Sequence, residues 1–174
     1  MVAKKDRKLA ELILYVAERS EADRFFGAIK LNKILFYADF LFHQKTGRSI
    51  TGQEYQRLPN GPAPRRLVPV RDALEKAGDL ALRTRFVGGL KQVRAIAIRE
   101  ADLSPFSGEE IAMVDFVIEA LRGLTAAESS ELSHAELGWK LAEEGETIPY
   151  ATVFLSERKI TQEEADFALQ LAEL

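Results

Sequence analysis

The sequence contains no cysteine, so disulfide bonds and thiolate metal sites are excluded and a reducing compartment fits best. It also has no apolar run long enough to span a bilayer. The N-terminal stretch is basic and amphipathic, and it lacks the uninterrupted apolar segment and the small-residue cleavage site of a signal peptide. We therefore expect a cytoplasmic protein with no membrane partner.

Recognisable catalytic motifs are missing as well. The two histidines, His43 and His134, lie far apart and outside any metal-ligand spacing such as HExxH. There is no GxSxG, no GxGxxG and no Walker-type phosphate loop. We expect no enzymatic activity, no catalytic residue, no metal and no cofactor. A hydrolase built on His43 or His134 is the weakest alternative, because Ser-His-acid triads assemble in space rather than in sequence.

Charge is unevenly divided along the chain. Residues 1–99 carry 20 Lys and Arg against 10 Asp and Glu, whereas residues 100–174 carry 4 against 17. The net charge of −3 therefore conceals balances of +10 and −13. Such asymmetry indicates either a charged partner surface or two halves that pack together and partly neutralise each other.

The most apolar stretch is 29–45, which predicts a helix that ends near Gly47 and is buried around most of its circumference. We expect the other elements to pack around this central helix. One strip of it stays polar, because Asn32, Asp39 and His43 fall on one side of a helical wheel. The strip is the wetted edge of the helix, a set of core polar groups satisfied by their neighbours, or a hydrogen-bonded seam that holds the following loop.

Periodicity elsewhere predicts a single α+β domain over 1–174 that is predominantly helical, with a small antiparallel sheet of two to three strands. Alternation over 80–86 and a second apolar run over 90–99 predict a β-hairpin, and 55–58 is the candidate for its third strand. Further helices are expected over 5–19 and 65–77, and after capping boxes that start at Ser107, Thr125 and Thr161. The last of these predicts a C-terminal helix over 161–174 as an added packing element.

The loop after the central helix is rich in proline. Residues 58–64 contain three prolines and one glycine, which makes the segment stiff and unable to join a central strand. A rigid loop has little entropy left to lose on binding, so it favours a partner-binding role. The alternative is a structural turn into the next helix. The candidate partner-binding residues at and around the loop are Tyr55, Asn60, Gly61, Pro62, Pro64 and Arg65.

Two other features support alternative readings. A cluster of basic residues makes a nucleic-acid-binding regulator the second candidate function, although we find no helix-turn-helix recognition helix. These residues are Arg57, Arg65, Arg66, Arg71, Arg83, Arg85, Lys91, Arg94 and Arg99. The single tryptophan, Trp139, follows His134 closely and is either a core anchor beside a helix-capping histidine or an aromatic hot spot for a partner.

Several of these stretches together resemble the SocA-like antitoxin family, or Panacea domain, over about residues 9–150. The resemblance rests on a Lys-Leu-x-Lys helix followed by Tyr-Ala, an extended tyrosine, a Gly-Pro-x-Pro loop and a Leu-Ser-His segment followed by tryptophan. In this sequence those residues are Lys30, Leu31, Lys33, Tyr37, Ala38, Tyr55, Gly61, Pro62, Pro64, Leu132, Ser133, His134 and Trp139.

The resemblance implies an antitoxin-type protein that neutralises a cognate toxin by direct binding. Relatives also act as adaptors that deliver a toxin to a protease, so a protease complex is a second implied partner. The family is known with very different classes of toxin, and the identity of the toxin is therefore not implied. No catalytic residues are carried over from the family.

Overall fold

The computed structural model describes residues 2–155 of the 174. The helices are α1 Arg7–Arg19, α2 Ala28–Thr46, α3 Leu67–Ala77, α4 Gly108–Leu121, α5 Ala126–Ala135 and α6 Leu137–Leu141, with 3-10 turns at Lys4–Asp6 and Tyr150–Phe154. The strands are β1 Tyr55–Gln56, β2 Ala63–Pro64, β3 Leu80–Val87, β4 Leu90–Ala97 and β5 Thr147–Ile148. The fold is α+β and mostly helical, as predicted. The predicted helix over 161–174 lies outside the described residues.

Helix α2 occupies the centre, as its composition predicts. One side of it, with Ile34 and Leu35, joins α1, α3 and α4 in the main hydrophobic core. Another side places Phe36 and Phe40 in a second buried cluster with Tyr55 of β1. Gly47 ends the helix in the left-handed conformation, as expected for a C-terminal glycine. One helix thus links two cores, and the loop that follows it packs on the second.

The strands form two separate sheets. β3 and β4 pair as an antiparallel hairpin, whereas β1 is the central strand of a small antiparallel sheet in the order β2-β1-β5. The prediction that 55–58 supplies the third strand of the hairpin was therefore wrong. The hairpin is instead covered by helices, with β4 against α1 and β3 against α3, and a covering helix serves as well as a third strand.

Both predicted capping boxes within the described residues are confirmed. Ser107 accepts from the Glu110 N–H at the start of α4, and Thr125 accepts from the Glu128 N–H at the start of α5, each with the reciprocal carboxylate contact. These boxes satisfy amide donors that a helix N-terminus leaves unpaired.

The two oppositely charged halves are in contact. The Arg7–Asp102, Lys8–Glu110 and Arg19–Asp115 ion pairs, at 2.6, 2.8 and 3.6 Å, each join the basic half to the acidic half. Packing therefore neutralises part of the charge asymmetry. Between residues 2 and 155, no helix combines the length and the apolar character that crossing a bilayer requires.

Candidate partner-binding surface

The proline loop, residues 58–64, is held by side chains from three different helices. Lys33 of α2 donates to the carbonyl oxygen of Asn60, and the Ser130 hydroxyl of α5 donates to the same oxygen at 3.2 Å. The indole N–H of Trp139 in α6 donates to the carbonyl oxygen of Leu58 at 3.0 Å. These contacts fix the backbone of the loop on both sides of Pro59.

The second half of the loop is buried. Residues 61–64 are buried, whereas Pro59 and Asn60 are exposed. Gly61 has a φ of +104°, and a Cβ atom added there would overlap the Lys33 ammonium group and the Ser133 hydroxyl. Only glycine allows this close approach. Of the predicted binding residues, Gly61, Pro62 and Pro64 thus shape the loop from inside, and Asn60 lies at its outer tip.

Lys33 is an unusual anchor, because a lysine is rarely buried without a charged partner. Its exposed fraction is 1%, and no ion pair to it occurs among the described residues. Burial lowers its pKa to about 8. The ammonium form is therefore still favoured at neutral pH, where it donates to the loop carbonyl.

Asp39 holds the segment that precedes the loop. Its buried carboxyl accepts from the Thr51 N–H at 2.8 Å, from the Thr51 hydroxyl and from the Tyr55 hydroxyl at 2.7 Å. Burial raises the pKa of Asp39, and the hydrogen bonds from Thr51 and Tyr55 oppose that rise. At Asp39 the polar strip is therefore a buried carboxyl group that hydrogen-bonds the segment after the helix.

The rest of the polar strip does not continue the seam. The Asn32 side-chain oxygen is buried with no hydrogen-bond partner among the described residues. His43 is half-buried, and its ring centroid lies 5.2 Å from that of Tyr150. Tyr55 itself is almost fully buried in the second core.

Trp139 lies at the centre of a small aromatic and cationic cluster beside the loop. The His134 ring stacks on it with centroids 4.0 Å apart, and the Arg57 guanidinium group lies 4.3 Å from its ring centroid. Trp139 remains half-buried. The Nε2 atom of His134 is buried and has no hydrogen-bond partner in the part of the chain that the structure describes. Trp139 therefore anchors the loop through its indole N–H, while part of the side chain stays accessible.

Arg65 joins the end of the loop to β5. Its guanidinium group donates to the Gly145 carbonyl at 2.7 Å, to the Thr147 hydroxyl at 2.9 Å and to the Gln56 side chain at 3.1 Å. The side chain stays half-buried. We define the loop surface as Arg57, Pro59, Asn60, Arg65 and Trp139, which are exposed or half-buried along this edge.

Lys30 does not belong to this surface. It is buried and forms an ion pair with Asp23 at 2.7 Å. Sequence reasoning placed Lys30 among the motif residues but did not place Lys33, Ser130 or Arg57 at the site. The sequence signal that could have indicated a role for Lys33 is its charge on an otherwise apolar face of the helix.

In the stretch from residue 2 to residue 155, no group of three or more His, Asp or Glu side chains is arranged to hold a metal ion. The motif residues Lys33, Gly61, Ser133 and Trp139, which lie far apart in sequence, meet at the proline loop.

Residues 31–140 match the family described as antitoxin SocA-like, Panacea domain. The match covers more than half of the chain, so the protein belongs to this family of SocA-like antitoxins. Neither a search of the curated proteins nor a search of the solved structures found a match.

Proposed function

We propose that this protein is the antitoxin of a toxin–antitoxin pair, that it is not an enzyme, and that it neutralises its toxin by direct binding through the loop surface. Family membership supports the general role. The choice of surface rests on the fixed backbone of the loop. The carbonyl groups of Leu58 and Asn60 are both hydrogen-bonded to distant helices, while Asn60 itself is exposed.

The physical argument concerns the entropy of binding. A loop that is ordered beforehand loses less conformational freedom when a partner docks, so more of the contact free energy appears as affinity. Tryptophan and arginine are also the residues most enriched at energetic hot spots, and Trp139 and Arg57 lie beside the exposed tip. Both properties favour a protein partner at this edge.

The positions of the basic residues give little support to the alternative function, a nucleic-acid-binding regulator. Arg66 pairs with Asp6, and Arg99 pairs with Glu11. The buried Arg94 donates to backbone carbonyls. Because these three groups are engaged within the protein, they are less available to a phosphate backbone.

The hydrolase alternative gains nothing from the surroundings of its two histidines. His43 lies beside the aromatic rings of Tyr150 and Phe154, and His134 stacks on Trp139. No described hydrogen bond connects either histidine to a hydroxyl nucleophile and a carboxylate, which a triad requires.

The direct test is to express the protein encoded by the adjacent gene alone and together with this one. Growth arrest in the first case and rescue in the second support the pairing, and the absence of both refutes it for this locus. An immunoblot of the rescued cells distinguishes the mechanisms, because inhibition by masking leaves the toxin level unchanged whereas delivery to a protease lowers it.

A pair of variants tests the surface. Asn60→Glu introduces a charge at the exposed tip without removing any anchoring group, and we expect it to weaken toxin binding about tenfold or more. Lys76→Glu, near the far end of α3, introduces the same residue at another exposed position and is the matched control. Equal affinities of the two variants, measured by titration calorimetry, would rule out the loop surface.

A further inference from the structure

The tip of the β3–β4 hairpin exposes large apolar side chains. Phe86 is 73% exposed and Leu90 is 76% exposed, on either side of the Gly88-Gly89 turn. Single exposed apolar residues are common on proteins. In the hairpin register Leu90 is opposite Val87 and Phe86 is opposite Lys91, so Leu90 and Phe86 lie on opposite faces, and Leu90, unlike Phe86, lines the groove described next.

A groove runs from this tip to the start of α2. It has a volume of about 450 Å³. Its apolar lining includes Phe25, Ile29, Val87, Leu90 and Val93, with Arg24 and Lys91 also present along it. We call it the hairpin groove. It lies on a different part of the fold from the loop surface, since none of its lining residues belongs to that surface.

The hairpin carries charge of one sign. Residues 80–99 contain five basic residues and no acidic residue. Arg94 is buried against the backbone carbonyls that follow α1, and Arg99 is paired with Glu11. Arg83, Arg85 and Lys91 form no ion pair with any described residue.

Arg24, on the other wall of the groove, has no carboxylate partner among residues 2–155 either. The groove is therefore apolar at its centre and positively charged along its sides. Its electrostatic complement is a negatively charged chain that also carries apolar groups.

We propose that the hairpin groove is a second docking site, and that it takes an acidic segment of a protein partner whose apolar side chains enter the groove while its carboxylates meet Arg24 and Lys91. This site is separate from the loop surface, and the proposal does not depend on the function proposed for that surface. Apolar burial supplies affinity, and the unpaired cations supply orientation and a faster association.

A protein segment fits the groove better than a nucleic acid does. A phosphate backbone would satisfy the cations but would leave the aliphatic lining of Ile29, Val87 and Leu90 without a partner. A concave groove also differs from the flat or helical apolar face with which proteins lie on a membrane surface.

The test uses a short fluorescein-labelled peptide in which glutamate alternates with leucine, titrated with the whole protein and followed by fluorescence anisotropy. We expect saturable binding that weakens as salt is raised, and much weaker binding of a peptide in which lysine replaces glutamate. Because no toxin is present, the result is independent of the toxin binding proposed above.

Two variants locate the peptide. The double variants Val87→Ser, Leu90→Ser and Arg24→Glu, Lys91→Glu change residues that line the groove, and each should lower the affinity about tenfold or more. Phe116→Ser, which removes a similarly exposed phenylalanine from α4, is the control and should have no effect. All these positions are exposed or half-buried, and circular dichroism checks that each variant is folded.

Several results would overturn the proposal. They are an absence of peptide binding, equal binding by the hairpin variants and the Phe116→Ser control, and tighter binding of single-stranded oligothymidylate or of phosphatidylglycerol vesicles than of the acidic peptide. Concentration-dependent dimerisation that Leu90→Ser abolishes would also overturn it, because the occupant of the groove would then be a second copy of this chain.

Discussion

The buried ammonium group of Lys33 predicts that the protein becomes more stable when the solution is made mildly alkaline. The pKa of Lys33 is lowered to about 8 by burial, whereas a lysine in an unfolded chain titrates near its ordinary value of 10.5. Between these two values, the unfolded state binds more protons than the folded state. The free energy of unfolding must therefore rise with pH in this window.

The size of the effect follows from the two pKa values. Integrating the proton linkage from about pH 7.5 to about pH 9.5 gives an increase of about 2 kcal/mol in the free energy of unfolding. In the Lys33→Met variant, which keeps much of the side-chain volume and has no charge, this contribution is absent. Loss of the lysine does not leave the Asn60 carbonyl unpaired, because Ser130 also donates to it.

The assay is urea unfolding of the natural protein and of Lys33→Met, followed by far-ultraviolet circular dichroism at several pH values across the window. Other titrating groups are common to both proteins and cancel in the difference. We expect the variant to gain relative stability as pH falls, by about 2 kcal/mol over the window. A difference that is constant with pH would refute the argument, since Lys33 would then titrate alike in the folded and unfolded states.

Three further predictions concern the other supports of the loop, each measured as a change in urea unfolding. Asp39→Asn should lower the free energy of unfolding by about 3 kcal/mol, because it disturbs a buried set of hydrogen bonds. The exposed control Asp72→Asn should change it by no more than about 0.5 kcal/mol, and equal losses in the two variants would contradict the argument. Gly52 has a positive φ and no atom near its added Cβ, so Gly52→Ala should lower the free energy of unfolding by about 1 kcal/mol. Gly61→Ala should lower it clearly more, because the new Cβ atom also meets packed side chains. A smaller loss at Gly61 would argue against that close packing. Trp139→Phe should lower the free energy of unfolding by about 1–2 kcal/mol, because the indole hydrogen bond is lost and the cation–π contact is weakened. An unchanged stability would count against the anchor role.

Local sequence patterns predicted the elements whose determinants are local. The apolar periodicity of α2, the stop at Gly47 and the capping boxes at Ser107 and Thr125 all involve residues within a few positions of one another. The hairpin was predicted for the same reason. The partner of β1 was not, because β2 and β5 have two residues each and such short strands carry no alternation that a sequence can display.

The candidate site also has features that local sequence predicts and features that depend on distant residues. Proline and glycine predicted a stiff loop, which is a local property. Burial of Gly61 and its neighbours is set by Lys33 and Ser133, which come from distant parts of the chain. The sequence therefore indicated where the loop lies but not which of its side chains face outward, and the roles of Tyr55 and Asn60 in partner binding stay predictions.

The loop surface has a consequence for the timing of its appearance during synthesis. Its supports include Lys33, Trp139 and the Arg65 contacts at Gly145 and Thr147, so the last of them is translated long after the loop itself. A growing chain on the ribosome cannot assemble this edge until position 147 has left the exit tunnel. If the loop surface binds a partner as proposed, we expect a nascent chain to gain that capacity only after this point of synthesis.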